Sequence, residues 1–293
     1  MAAIALLPLV SAPQQRDAVF SVESRLVRLI VSVKDAHGAV VGSLRKSDFS
    51  VFDSGVRQEI SFFERHSAQP LSIALLIDTS GSAAKDLKYE LESAAKFLQA
   101  LTREGNPEDA LTFFTFNHEV TRQFGFTRNQ ERFRQATRDL KAEAGTSLYD
   151  ALCFAAEALD GRQGRKVVIV ITDGGDTTSF RDFHYTLRAV HKADATIYPV
   201  VVVPIANDAG RNTGGEHALI QFAYSTGGRA FFPSVGPVLD QTFSAILREL
   251  RTQYLLGYQP RNLPESKDPF RRIRLELSTP GMTAVTRTGY YQE

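Results

Sequence analysis

The sequence predicts an α/β fold: a doubly wound, mostly parallel sheet with one antiparallel edge strand, inserted in or flanked by a small β-sandwich-like module. Three observations lead there. Residues 71–78, LSIALLID, are apolar without alternation, as expected of a strand covered by helices on both faces. From 71 to 250 such runs alternate with helical segments, the pattern of a doubly wound sheet. Segments 19–68 and 254–293 instead alternate apolar and polar residues with period two. Each is too small to stand as an isolated sheet, so the economical arrangement packs them together.

The elements follow in order. VFSVESRLVRLIVSVK (19–34) is rich in β-branched residues and reads as a strand, and DAHGAVV (35–41) as a turn leading to a short strand. SLRKSDFSVFDSGVRQEISFFER supplies two more strands around the turn Asp53-Ser54-Gly55. After LSIALLID comes a helix near 84–103. ALTFFTFNHEVTRQFGF reads as a hairpin, with the antiparallel edge strand following Asn117-His118. Helices near 128–140 and 147–160 precede KVVIVITD, a central strand. A helix near 181–193 leads to the strand ATIYPVVVV. A helix at 217–226, a short last strand GRAFF and a closing helix in PVLDQTFSAILRELRTQY complete the domain. QYLLGYQP and RRIRLELSTPGMTAVTRTGYY return to β alternation.

A length of 293 residues suits one medium domain plus a smaller one. The net charge of +1 leaves no electrostatic footprint for nucleic acid or anionic membrane. Cys153 is the one cysteine, so no intrachain disulfide forms, and its apolar helical setting reads as a small buried hydrophobe. The first residues, MAAIALLPLVSA, resemble the apolar core and small-residue end of a secretory signal, without the usual basic start. Residues 1–18 are therefore expected to be a leader, and the protein to be exported to the periplasm, cell surface or medium; without a leader it would be cytoplasmic. No other segment is apolar and long enough for a membrane helix.

The chemistry concentrates where the apolar strand stops. Asp78, Ser80 and Ser82 form D-x-S-x-S, hard oxygen groups on alternate residues at the carboxyl end of a buried strand. Such oxygens suit a small divalent cation, and that end of a parallel sheet is where ligands gather. The plainer alternative is that the cluster simply caps the next helix. Together with Thr146, in the loop of EAGTSLYDAL, and Asp173, which ends KVVIVITD, the block resembles the metal-ion-dependent adhesion site of von Willebrand factor type A (VWA) domains. The resemblance covers roughly 71–250. It implies a VWA-like fold in which Ser80, Ser82 and Thr146 hold Mg²⁺ (or Mn²⁺; Ca²⁺ is also compatible) directly, while Asp78 and Asp173 act through bound water. It further implies an open coordination position that captures an exposed Asp or Glu carboxylate of a partner protein. Lys85-Asp86 stands where some relatives carry two adjacent acids for a second cation. The order of the whole chain also resembles a bacterial VWA-related family of exported proteins, on DAHGAVVGSLRKSDFSVFDSGVRQEI and the ending YLLGYQP…RTGYY.

The sequence thus points to a cation-dependent adhesion or protein-binding module and not to an enzyme. The alternatives are a metal-dependent hydrolase or phosphotransferase, or the VWA helper subunit of an ATPase complex. A phosphotransferase built on Asp78 would need a second acid where Ser80 stands. Neither a serine-hydrolase elbow nor a phosphate-binding glycine loop is present. His184 and His191 lie seven apart on one expected helix, without further zinc-ligand spacing.

Overall fold

A computed structural model describes residues 26–65, 68–202, 213–234 and 237–292. The expected leader, 1–18, and the start of the first expected strand lie outside these residues. The N-terminal flank forms β1 (Val27–Lys34), β2 (Phe49–Asp53), β3 (Val56–Gln58) and β4 (Ile60–Glu64). β2 and β3 join through Ser54 and Gly55, whose φ values are +49° and +85°. Two successive left-handed residues make a turn whose twist matches the paired strands, and glycine adopts that conformation without a Cβ penalty.

The central unit follows as β5 (Leu71–Asp78), α1 (Leu87–Glu104), β6 (Ala110–Phe116), β7 (Val120–Thr127), α2 (Gln130–Thr137) and α3 (Leu148–Asp160). It continues with β8 (Arg165–Thr172), α4 (Phe183–Ala193), β9 (Ala195–Val201), α5 (Thr213–Thr226) and α6 (Pro237–Thr252). The sheet order is β7-β6-β5-β8-β9. β5 pairs in parallel with both β6 and β8, β8 pairs in parallel with β9, and β7 is the antiparallel edge. Every residue of β5 is buried, because alternate side chains enter two different cores. Ile73, Leu75 and Ile77 pack with Phe97 and Leu101 of α1 and Phe243 and Ile246 of α6. Ala74 and Leu76 pack with Leu152 of α3, Val190 of α4 and Phe222 of α5. The unbroken apolar run in the sequence is therefore the signature of a strand with helices on each side.

The C-terminal flank adds β10 (Tyr254–Tyr258), β11 (Phe270–Leu277), β12 (Thr283–Val285) and β13 (Gly289–Tyr291). Two four-stranded sheets result, ordered β12-β1-β10-β4 and β13-β11-β2-β3. Each mixes strands from both ends of the chain, and Leu29, Val31, Val51, Leu256 and Ile273 share one core between them. In that core the Tyr258 and Tyr290 hydroxyls each donate to Asp53 Oδ2 at 2.8 Å. Gln253 Nε2 ties the module to the central unit, donating at 3.0 Å to Ser32 Oγ and to the Tyr198 hydroxyl.

Two expected strands shrink to single bridges. GRAFF contributes only Phe231, bridged to Val200, and DAHGAVV only Val40, bridged to Lys34. Pro233, two residues past the Phe231 bridge, lacks the N–H that a ladder continuing there would use. α5 is already helical at Thr213, ahead of the expected 217.

Candidate functional site

β5 sits between two parallel neighbours, so its last residue, Asp78, opens centrally on the carboxyl edge of the sheet. The side chain is buried and both oxygens are engaged. Oδ1 accepts from the Ser80 N–H at 2.7 Å, and Oδ2 accepts from the hydroxyl of Thr172, the last residue of β8, at 2.6 Å. Burial pushes the Asp78 carboxyl up to about 6; the hydrogen bonds from Thr172 and Ser80 oppose that, and the charge of Asp173 adds to it.

The chain then turns so that the Ser80 and Ser82 hydroxyls lie 3.2 Å apart. Ser80 is buried and Ser82 exposed. Ser82 begins a short 3-10 turn, Ala83–Lys85, without capping it through its side chain. The capping alternative for this serine is thus not realised.

Thr146 arrives on a separate loop. Glu143 N–H donates to Thr79 O at 2.9 Å and Glu143 bridges Ser80, which lays that loop against the serine turn. The Thr146 N–H donates to Thr177 Oγ1 at 2.9 Å, and its carbonyl accepts from the N–H groups of Thr177 and Thr178 at 2.8 and 3.2 Å. The residue before α3 is Ser147, and it makes no side-chain cap either; its hydroxyl bonds the His118 carbonyl at 3.0 Å and Thr178 Oγ1 at 2.8 Å. Asp173 is half-buried directly after β8. It acts on the other acids through charge, raising both Asp78 and Glu90.

All five residues singled out in the sequence therefore line one edge. Asp78 is bonded to Ser80 and Ser80 to Ser82, the loop of Thr146 is laid alongside through the Glu143 bridge, and Asp173 follows Thr172, which bonds Asp78. Glu90 was not singled out. It is only 1% exposed, on the first turn of α1, and its Oε2 has no hydrogen-bond partner among the described residues. Burial, then the charges of Asp78, Asp86 and Asp173, hold its carboxyl well above the usual range. A signal did exist. Leu87, Ala94, Phe97, Leu98 and Leu101 are the buried face of α1, and Glu90 falls on that stripe at i+3 from Leu87 and i−4 from Ala94.

Among the described residues no cluster of three or more His, Cys, Asp or Glu side chains is arranged to hold a metal ion. A cation at this edge would depend on hydroxyls. The observed pair suits one: adjacent ligands of an octahedral Mg²⁺ at about 2.1 Å stand roughly 3.0 Å apart, close to the 3.2 Å between Ser80 Oγ and Ser82 Oγ. The surrounding charge agrees. Among the described residues no cationic side chain forms an ion pair with Asp78, Glu90 or Asp173.

The loop after Asp173 is pinned to the same edge. Asp150 of α3 is buried and accepts from the N–H groups of Phe180 and Arg181 at 3.0 and 3.2 Å. Asp176 Oδ1 accepts from Ser179 Oγ at 2.5 Å and from Tyr149 N–H at 3.1 Å. This framework holds up Phe180, whose ring is 99% exposed. Gly215, in α5, packs so closely on Gly175 that a Cβ there would overlap the Gly175 backbone.

Residues 73–175 match the profile of the von Willebrand factor type A domain. No curated protein sequence matches the chain. Similar solved structures include the VWA domain of SpRpn10, 15% identical with a TM-score of 0.46, over 60% of this chain and 94% of that one. BatB from Bacteroides thetaiotaomicron, described as a conserved hypothetical protein, is 15% identical with a TM-score of 0.49, over 61% and 97%. The vWF domain of the type V pili tip protein Mfa5 from Porphyromonas gingivalis is 13% identical with a TM-score of 0.48, over 63% and 97%. Among the described residues no helix is long and apolar enough to cross a membrane. From the middle of β5 to the glycine pair behind Asp173, this chain carries a von Willebrand factor type A domain.

Proposed function

We propose that the carboxyl edge of the sheet is a divalent-cation-dependent protein-binding site that captures a carboxylate of a partner protein. One observation carries this reading: two serine hydroxyls 3.2 Å apart beside buried acids that lack cationic partners among the described residues. Ser80, Ser82 and Thr146 would be the direct, neutral ligands, with Asp78, Asp173 and Glu90 around them. When bound, Mg²⁺ or Mn²⁺ would supply a Lewis-acidic position for an incoming Asp or Glu side chain. Neutral direct ligands leave more of the cation's charge uncompensated, which strengthens its attraction for an external carboxylate.

Binding fits this edge better than catalysis. A general base must reach a substrate proton, and both Asp78 oxygens are committed to Ser80 and Thr172. Phe180 extends the binding surface, because an aromatic ring held out on a well-braced loop offers contact area at little ordering cost. The apolar start MAAIALLPLVSA supports an exported location for such a module.

Calorimetric titration with Mn²⁺ tests the reading. The full chain should take up one ion, and Asp78→Ala should lose it while keeping its fold. Equal uptake by both proteins, or none by the wild type, would overturn it.

A further inference from the structure

A cleft of about 780 Å³ opens between α4 and the composite β module. It lies at the other edge of the sheet from Asp78, since α4 runs antiparallel to the strands it connects and contributes its last turns. Five cationic side chains line it, Arg28, Arg188, Lys192, Arg271 and Arg287, against two carboxylates, Asp194 and Glu265. The chain as a whole is close to neutral at +1, so this excess is local.

The interior is built and not merely charged. Arg271 is buried, and its Nε and Nη1 donate to Gln292 Oε1 at 2.9 Å and to the Pro264 carbonyl at 2.8 Å. Arg287 donates through Nη1 to Asp194 Oδ1 at 2.5 Å and through Nη2 to the Arg28 carbonyl at 2.8 Å, yet its Nε is buried without a partner among the described residues. His191 is 6% exposed and packs edge-on to Phe270 and Tyr291, with ring centroids 5.3 and 6.2 Å away. Its Nε2 also lacks a partner among the described residues. Buried polar nitrogens are normally satisfied, and a neutral imidazole can carry its proton on Nε2 and donate.

Arg188 and Lys192 alone have an ordinary explanation, since basic residues favour the carboxyl end of a helix. That does not account for Arg287 and His191, which line the same cleft and each keep one buried nitrogen without a partner among the described residues. A volume of this size, with apolar walls and a few converging polar groups, is that of a small-molecule pocket. Tyr291 stacks under Arg188, whose guanidinium carbon is 5.2 Å from the ring centroid, and Leu263, Pro264 and Pro269 give the cleft its apolar wall.

We propose that this cleft binds a small amphiphilic anion, with a carboxylate, phosphate or sulfonate head among Arg188, His191, Lys192 and Arg287 and an apolar or aromatic body against Tyr291 and Leu263. The site is independent of the cation-binding edge.

Fluorescence titration of the full chain with 8-anilinonaphthalene-1-sulfonate, without divalent cations, tests this. One saturable site is expected. Arg188→Glu with Lys192→Glu should weaken it about tenfold or more, because charge-assisted contacts are the strong ones. The matched reversal on α2 and the residue that caps its carboxyl end, Arg132→Glu with Arg138→Glu, should leave it within a factor of about two. His191→Phe, which keeps the ring packing, should also weaken it. Displacement by inorganic pyrophosphate at lower concentration than by citrate would mark a phosphate head, and the reverse order a carboxylate head. The proposal falls if binding does not saturate, or if the α2 reversal weakens it as much as the α4 reversal.

Discussion

Glu90 is buried with a carboxyl oxygen unpaired, and such a group costs a cation-free fold about 1–3 kcal/mol. Glu90→Leu should therefore raise stability in urea without added metal by about that amount, while weakening Mn²⁺ binding. Lowered stability with unchanged Mn²⁺ affinity would make Glu90 a structural residue only. His191 gives a pH signature of its own. Burial, then the charge of Arg287, lowers its pKa to about 4 from an ordinary 6.5. Between those values the unfolded chain binds the extra proton, so stability is fully present above about 6.5 and is lost as pH falls towards 4. The loss amounts to about 3 kcal/mol at most. In urea unfolding at pH 7 and pH 4, His191→Phe should lose less stability than the wild type over that interval; parallel losses would refute the assignment. Asp78, Ser80 and Ser82 were legible because they are contiguous and end an apolar run, and Thr172 and Glu90 were not. Thr172 looks like one more β-branched strand residue until its hydroxyl is seen on Asp78. Glu90, in YELES, looks like a solvated helix acid until the rotation of α1 is known.

At the scale of elements, the flanking strands depend on partners far away in sequence. β1 pairs with β10 and β12, so without residues 254–293 it loses both ladder neighbours, while β2 loses β11 and keeps only its short pairing with β3. Deleting 254–293 should abolish amide-exchange protection over Val27–Lys34, weaken it over Phe49–Asp53, which keeps only β3, and expose Leu29, Val31 and Val51 to aggregation. Unchanged protection in those two strands would show that they fold without the C-terminal flank. Period-two alternation marked both flanks as β, and their small size implied that they combine. Which strand lies beside which was not legible, because register comes from core residues such as Phe49, Tyr254 and Ile273 meeting across the module. The short strands expected in GRAFF and DAHGAVV had the composition of strands but only single bridges to make.

At the scale of the molecule, the type A domain rises from a module closed by both ends of the chain, and the two edges of its sheet carry opposite chemistry. The carboxyl edge gathers acids and hydroxyls at Asp78, Glu90, Asp173, Ser80 and Ser82; the amino edge gathers cations around Arg271 and Arg287. On the two proposals above, this separation would let a cation and an anion be held by one chain without competing, since screening over a Debye length of about 8 Å at physiological salt keeps the two fields apart. The central claim is that the serine turn is the cation's seat. Diffraction from crystals grown with Mn²⁺, recorded at a wavelength where manganese scatters anomalously, tests it most directly. The account predicts one anomalous peak, about 2.1–2.2 Å from both Ser80 Oγ and Ser82 Oγ. No peak there at saturating Mn²⁺, or a peak held by carboxylates elsewhere on the chain, would contradict it.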